Sequence, residues 1–207
     1  MAISTIIFDF GGVLYKMPDL RRINRWTKLL GLDNNPEIIE MLTNPNESEW
    51  VNEVCLGKIS EDQAWAMMRS EWGIKSQLFQ WLKRRSYKQR NLNWELLDYI
   101  DSLRPKYQLA ILSNAGDKSR ELMVDVFHLD DYVEEIIISA EEGVIKPDQR
   151  IYQIAMDRLQ TKPSETIFVD DYHKNVKAAQ EFGINAVHFT ENDQAIQTIR
   201  EILRDEG

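Results

Sequence analysis

The chain has a single cysteine, Cys55, among 207 residues. One thiol can build neither an internal disulfide framework nor a cysteine-based zinc site, so a reducing compartment is expected, with Cys55 as a buried structural residue. Positive charge is also scarce. Lys and Arg number 25 against 34 Asp and Glu, a formal net charge of -9, which removes the electrostatic reason to bind nucleic acid or an anionic membrane. No apolar run is long enough to cross a bilayer, and Met1-Ala2-Ile3-Ser4 enters an apolar segment without a basic region or a small-residue cleavage site. Internal repeats and low-complexity tracts are absent. These absences point to a cytoplasmic monomer or homodimer whose partner is a small molecule, with no nucleic acid and no membrane.

What is present is a set of short aliphatic runs. Ile3 to Phe10, stopped by Gly11-Gly12, reads as a fully buried strand followed by a tight turn. Tyr107 to Leu112, Glu135 to Ser139, Thr166 to Val169 and, more weakly, Asn185 to Phe189 follow, separated by segments of helical periodicity. Strands alternating with helices predict crossover units, because parallel neighbours need a long return connection. The fold class is therefore α/β, a doubly wound parallel sheet.

The stretch 15–90 differs. It has no convincing strand but several helix signals: Asn35-Pro36 as an N-cap and first turn, Ser60 with Gln63 as a capping box, and Gly73 as a stop after Trp72. Five of the six tryptophans, Trp26, Trp50, Trp65, Trp72 and Trp81, lie in it and can supply a small core. The predicted organisation is an α/β core of residues 1–14 and 91–207, with a helical insertion at 15–90. The basic cluster Lys83, Arg84, Arg85, Lys88 and Arg90 reads as a solvated helix face, and His173 as a surface residue.

Ligands of open parallel sheets bind beyond the carboxyl ends of the strands. Four such positions carry chemistry here: Asp9, Ser113-Asn114, the loop containing Lys146, and Asp170-Asp171. Lys146, the Ser113 hydroxyl and nearby backbone amides suit a dianionic phosphate. Asp9, Asp170 and Asp171 crowded together are best reconciled by a hard cation with oxygen ligands, Mg2+, which offsets their repulsion and polarises phosphorus. A carboxylate in line with that phosphorus can attack it and form an acyl phosphate. No Gly-x-x-x-x-Gly-Lys-Ser/Thr run occurs, and Gly11-Gly12 does not extend into the dinucleotide fingerprint, which disfavours both nucleotide-binding loops.

Ile7-Phe8-Asp9-Phe10-Gly11-Gly12-Val13-Leu14, Leu112-Ser113-Asn114, Lys146-Pro147 and Phe168-Val169-Asp170-Asp171, in that order, resemble the four motifs of the haloacid dehalogenase superfamily. The resemblance implies a sheet order 5-4-1-2-3 and a helical cap between the first and second motifs. It implies Asp9 as nucleophile and metal ligand and Gly11 as a carbonyl ligand. Ser113, the Asn114 amide and Lys146 would hold phosphate, and Asp171 would bind magnesium directly, with Asp170 bonding directly or through a water. Most phosphatases of the superfamily carry a second aspartate two positions after the nucleophile as general acid and base, where this chain has Gly11. The run around it resembles a subgroup that includes bacterial sugar 1-phosphate phosphatases, so a sugar phosphate is an expected substrate, with Tyr15 or a group of the cap as a stand-in acid. The alternatives are a metal-free haloacid dehalogenase and a catalytically reduced module that binds phosphate or metal for regulation.

Overall fold

Ile6, Ile7 and Phe8 have no polar side-chain atom to keep in water, and a strand of such residues is stable only when both faces are covered. The computed structural model, which describes residues 2–16, 25, 27–28, 39, 43–72 and 91–204, buries them in this way. They lie in strand β1 (Thr5–Phe8), the middle of a five-stranded parallel sheet. On one side β1 pairs with β2 (Gln108–Ser113), with Ile7 opposite Ala110. On the other it pairs with β4 (Thr166–Asp170), with Ile7 opposite Phe168. β3 (Glu135–Ile138) and β5 (Asn185–His188) form the edges, giving the order β3-β2-β1-β4-β5. This is the expected 5-4-1-2-3 sheet read from the other edge.

Alternation along the strands divides the core in two. Ile6, Phe8, Leu109, Ile111, Ile167 and Val169 face one apolar cluster, completed by Leu96, Leu97 and Ile100 of one helix (Trp94–Leu103) and by Ile199 of the last helix (Asn192–Arg204). Ile7, Ala110, Leu112, Ile137 and Phe168 face the other, completed by Ile151, Tyr152 and Ala155 of a helix at Gln149–Leu159 and by Ala179 of a helix at His173–Phe182. Phe10, Tyr15 and Phe127 extend the first cluster as an aromatic stack, with Tyr15 centroids 5.4 Å from Phe10 and 5.5 Å from Phe127.

Between Lys16 and Asn91 the described residues contain helices and no strand. Helix α1 (Glu49–Cys55) follows a single turn at Pro45–Glu47, and helix α2 (Glu61–Trp72) opens on the predicted capping box. The Ser60 amide donates to Gln63 Oε1 at 2.9 Å, and the Gln63 amide to Ser60 Oγ at 3.2 Å. Trp50 and Trp65 are half-buried. Asn35-Pro36, Gly73, the tryptophans at 26 and 81, the Trp72 side chain and the basic cluster at 83–90 lie outside the described residues. The two ends of this region are tied together: Tyr15 bridges Leu92, Lys16 donates to the Asn91 carbonyl at 2.8 Å, and the Asn93 amide donates to the Leu14 carbonyl at 2.8 Å. No helix among the described residues is long and apolar enough to cross a membrane.

α1 docks on the core at the short helix Ser139–Glu142. Ser139 Oγ donates to the Cys55 carbonyl at 2.6 Å, and Cys55 is buried, its thiol pushed up to about 12 chiefly by that burial. The thiol is therefore unreactive, as a structural cysteine should be. Gly57, at φ 68°, brings its Cα so close to this helix that an added Cβ would stand 2.4 Å from the Ala140 carbonyl oxygen. Gly143 has the same backbone conformation, φ 67°, with open space beyond it. Comparing alanine at the two positions separates conformational cost from contact cost. Gly143→Ala should lose about 1–2 kcal/mol for the left-handed backbone alone. Gly57→Ala should lose about 1–3 kcal/mol more for overpacking against Ala140 in urea unfolding. Equal losses would show that this contact does not constrain the docking of α1.

Candidate active site

Each strand of a parallel sheet delivers its last residue to the same edge. Asp9 follows β1, Ser113 ends β2, Asp170 ends β4, and the loop after β3 supplies Lys146. The backbone places Lys146 through Asn114, whose side chain makes a reciprocal pair with it. Asn114 Nδ2 donates to the Lys146 carbonyl at 2.9 Å, and the Lys146 amide donates to Asn114 Oδ1 at 2.8 Å. The Asn114 side chain is thus engaged in holding the loop, and what remains for an anion is its backbone amide.

Lys146 is 2% exposed, and its ammonium donates three ways: to the Leu112 carbonyl at 2.9 Å, to Asp170 Oδ2 at 2.7 Å and to Asp9 Oδ1 at 2.9 Å. An ammonium has three protons, so these contacts use its full donor capacity. Asp9 Oδ1 also accepts the Phe10 amide at 2.7 Å, while Asp9 Oδ2 has no protein hydrogen bond among the described residues. Asp170 is buried completely. Its Oδ1 takes the Tyr172 amide at 2.8 Å, and both its oxygens take Asn175 Nδ2, at 3.2 and 3.1 Å. Asn175 belongs to the first turn of the His173–Phe182 helix and is itself 2% exposed. Nothing in its local sequence marks it. The available clue is its position five residues after Asp170, where the first turn of a helix points back at the strand end.

Asp171 reaches the same point from the solvent side. Its carboxylate rests against the turn after Asp9, where Gly12 has φ 83° and an added Cβ would stand 2.0 Å from Asp171 Oδ2. Only glycine leaves room for that carboxylate. Gly11 is the reverse case: an added Cβ there meets nothing within 4 Å. Ser113 is buried at 3% exposure. Tyr15, expected as a stand-in acid, is instead core: its ring lies in the aromatic stack and its hydroxyl accepts Asn91 Nδ2 at 2.9 Å. His173 is exposed, its ring edge-on to His188.

The electrostatics follow from burial. It is the largest influence on Asp9 and pushes its carboxyl up to about 8; Lys146 opposes the rise, and the Asp170 and Asp171 charges add to it. Burial and then Asp170 push Asp171 up to about 6. For Lys146 burial favours the neutral form, but Asp170 and Asp9 outweigh it and hold the ammonium above its ordinary range. Ligand oxygens of Asp9, Asp170 and Asp171 lie within 4.8 Å of one another. Three carboxylates around one ammonium carry a formal charge of -2, which a divalent cation would cancel. The donors are all hard oxygens, so the residues present fit Mg2+.

Residues 6–189 match the family model described as haloacid dehalogenase-like hydrolase. The chain belongs to this family. As a haloacid dehalogenase-like hydrolase it is 26% identical over 187 residues to D-ribitol-5-phosphate phosphatase of Bacteroides thetaiotaomicron, covering 87% of this chain and 89% of that one. It is 24% identical over 198 residues to a sesquiterpene phosphatase of Aspergillus oryzae, covering 95% of each. Its fold matches, at a TM-score of 0.75 and 23% identity over 92% of this chain and 97% of the other, a HAD family enzyme of Bacteroides thetaiotaomicron solved in complex with magnesium and inorganic phosphate. The chain spans 6% to 39% of the length of three larger mammalian proteins that it also matches, mouse and rat bifunctional epoxide hydrolase 2 and mouse acyl-CoA dehydrogenase family member 10.

The raised carboxyls of this hydrolase make a pH prediction. The folded value of Asp9, about 8, lies above its ordinary value of 3.8, so in the metal-free chain its contribution to stability falls as pH rises through that window. A cation needs the ionised ligands and must displace the proton. Mg2+ binding should therefore release protons near neutral pH, and its apparent affinity should rise up to about pH 8 and then level off. Calorimetric Mg2+ titrations in buffers of different ionisation enthalpy measure this directly; buffer-independent heats at about pH 7 would show the carboxylates already ionised.

Proposed function

We propose that this hydrolase is a magnesium-dependent phosphatase that cleaves a small phosphomonoester, a sugar phosphate by expectation, through an aspartyl phosphate at Asp9. The observation that carries the reading is the cluster of three carboxylates, two of them paired with one buried lysine, with Asp9 Oδ2 left without a protein hydrogen bond among the described residues. A metal-free dehalogenase has no use for the remaining formal charge of -2. A purely regulatory module has no reason to keep a repulsive cluster at a strand edge.

Magnesium held by Asp9, Asp170 and Asp171, with the Gly11 carbonyl, would supply positive charge to the substrate phosphoryl group. The roles of the chain's own residues follow. Asp9 attacks phosphorus, the P–O bond to the leaving group breaks, and the electron pair leaves with that oxygen. Ser113 and the Asn114 backbone amide hold the phosphoryl oxygens, and Lys146 offsets charge beside them. Water then attacks the acyl phosphate and restores Asp9. Residues 15–90 act as a cap over the crevice. Their described part reaches the core through Glu47, which accepts hydrogen bonds from Tyr172 and Lys174, and through an ion pair of Asp62 with Lys118.

Phosphate release should require Mg2+, stop on chelation, and be abolished in Asp9→Asn; turnover by that variant would remove Asp9 as nucleophile. Protonation of the leaving group gives a second expectation. Since nothing occupies the space beyond Gly11, Gly11→Asp should fold normally and place a carboxyl two residues from the nucleophile. General acid catalysis is worth about 100- to 10,000-fold, so the variant should accelerate alkyl phosphates, which leave badly, far more than aryl phosphates. Equal effects on the two classes would mean that the proton already comes from elsewhere.

A further inference from the structure

Beside Lys146 the chain encloses a cleft of about 190 Å3. It adjoins the carboxylate triad through Lys146, Asn114 and Asn175, and its opposite wall belongs to the helical region: Asn46, Glu47 and Asn52. On a measure in which one water needs about 10–15 Å3, this space has room for on the order of ten water-sized groups, enough for the polyol portion of a substrate whose phosphoryl group lies at Asp9.

The polar groups of that wall differ in how they are used. Glu47 is engaged with Tyr172 and with Lys174, whose ammonium lies 2.5 Å from Glu47 Oε1. The side-chain amides of Asn46 and Asn52 make no hydrogen bond among the described residues. Asn46 lies in the turn Pro45–Glu47, and Asn52 lies on α1 at the midpoint between Glu49 and Cys55. Each amide offers two donors and an acceptor, which is the complement of a run of hydroxyl groups. An apolar leaving group seated there would strip water from both amides and give nothing back.

We infer that Asn46 and Asn52 are specificity-determining residues that select a polyhydroxylated leaving group, a sugar or an alditol, over a prenyl chain. The inference rests on the phosphatase reading. It favours, of the two leaving-group chemistries named in the matched phosphatases, the hydrophilic one. Ile145 and Pro147 line the same cleft and can pack against the carbon backbone of such a polyol, as apolar surface does in most ligand pockets.

The test uses the full chain with Mg2+ and four probes: ribitol 5-phosphate, glucose 6-phosphate, farnesyl phosphate and an aryl phosphate, assayed for wild type, Asn46→Leu, Asn52→Leu and the conservative Asn52→Gln. Wild type should prefer at least one of the two polyol phosphates to farnesyl phosphate. Each leucine variant should lower the ratio of kcat/KM for that polyol phosphate to kcat/KM for the aryl phosphate by about three- to tenfold, mainly through KM, because a neutral hydrogen bond to substrate is lost. The glutamine variant should recover part of the ratio, and the Mg2+-dependent melting temperature confirms that each variant is folded. Preference for farnesyl phosphate, or a ratio unmoved by both leucine variants, overturns the inference while leaving the phosphatase reading intact. Absence of Mg2+-dependent hydrolysis of all four probes by wild type overturns the phosphatase reading, and this inference with it.

Discussion

The Lys146 ammonium sits 2.9 Å from Asp9, 2.7 Å from Asp170 and 2.9 Å from the Leu112 carbonyl, out of contact with solvent. Three strands and a loop are committed to this one contact, because Asp9 follows β1, Leu112 lies in β2 and Asp170 ends β4. A buried charge is tolerable only when it is paired and its hydrogen-bonding capacity is satisfied; removing one partner of such a pair costs about 3–5 kcal/mol. The surrounding polar groups serve the same end. Asn114 fixes the lysine backbone and Asn175 fixes Asp170, so the two amides set the distance between ammonium and carboxylate. One lysine offsets only one of three carboxylates; burial is the chief cause of the raised Asp9 and Asp171 carboxyls, and the neighbouring carboxylate charges add to the rise.

The strands were legible because their residues have a single use. Ile6-Ile7-Phe8 and Ile167-Phe168-Val169 are apolar on both faces, which only a sheet covered on both sides accommodates, and the structure differs from the expected bounds by at most two residues at either end. The capping box at Ser60 and Gln63 was legible for a local reason, since both hydrogen bonds span three residues. What sequence reading could not supply was long-range pairing. Asn114 turns its side chain onto a residue 32 positions away, and even the five-residue contact of Asn175 with Asp170 depends on the direction in which the His173–Phe182 helix leaves the strand. Tyr15 shows the opposite error. Its phenol suggested an acid, but proximity in sequence to Asp9 did not fix its direction, and apolar packing against Phe10 and Phe127 took the ring into the core.

The region between the first two motifs connects to this chemistry by a short path. Tyr172 gives its backbone amide to Asp170 and its hydroxyl to Glu47, so one residue is bonded at one end to the carboxylate triad and at the other to the turn that carries Asn46. Two hydrogen bonds, one from the Tyr172 backbone and one from its side chain, thus join the wall of the cleft to the loop that carries Asp170 and Asp171.

The adjacent glycines 11 and 12 carry different kinds of information. At Gly12 the positive φ and the Asp171 carboxylate leave no space for any side chain, so glycine there is a steric requirement of bringing three carboxylates together. At Gly11 neither constraint operates: the space is open and the backbone does not need a left-handed conformation. Sterics therefore do not account for the absence of a side chain at position 11, and a chemical account is needed. A carboxyl there would add a fourth acidic group beside Asp9, whose carboxyl burial and the neighbouring charges already raise to about 8, and so would weaken the ionisation of the proposed nucleophile as it supplied a proton to the leaving group. Under the proposed reading, glycine keeps the Asp9 carboxyl from being pushed higher and leaves protonation of the leaving group to the substrate or to water, an exchange that suits a leaving group rich in hydroxyls of its own.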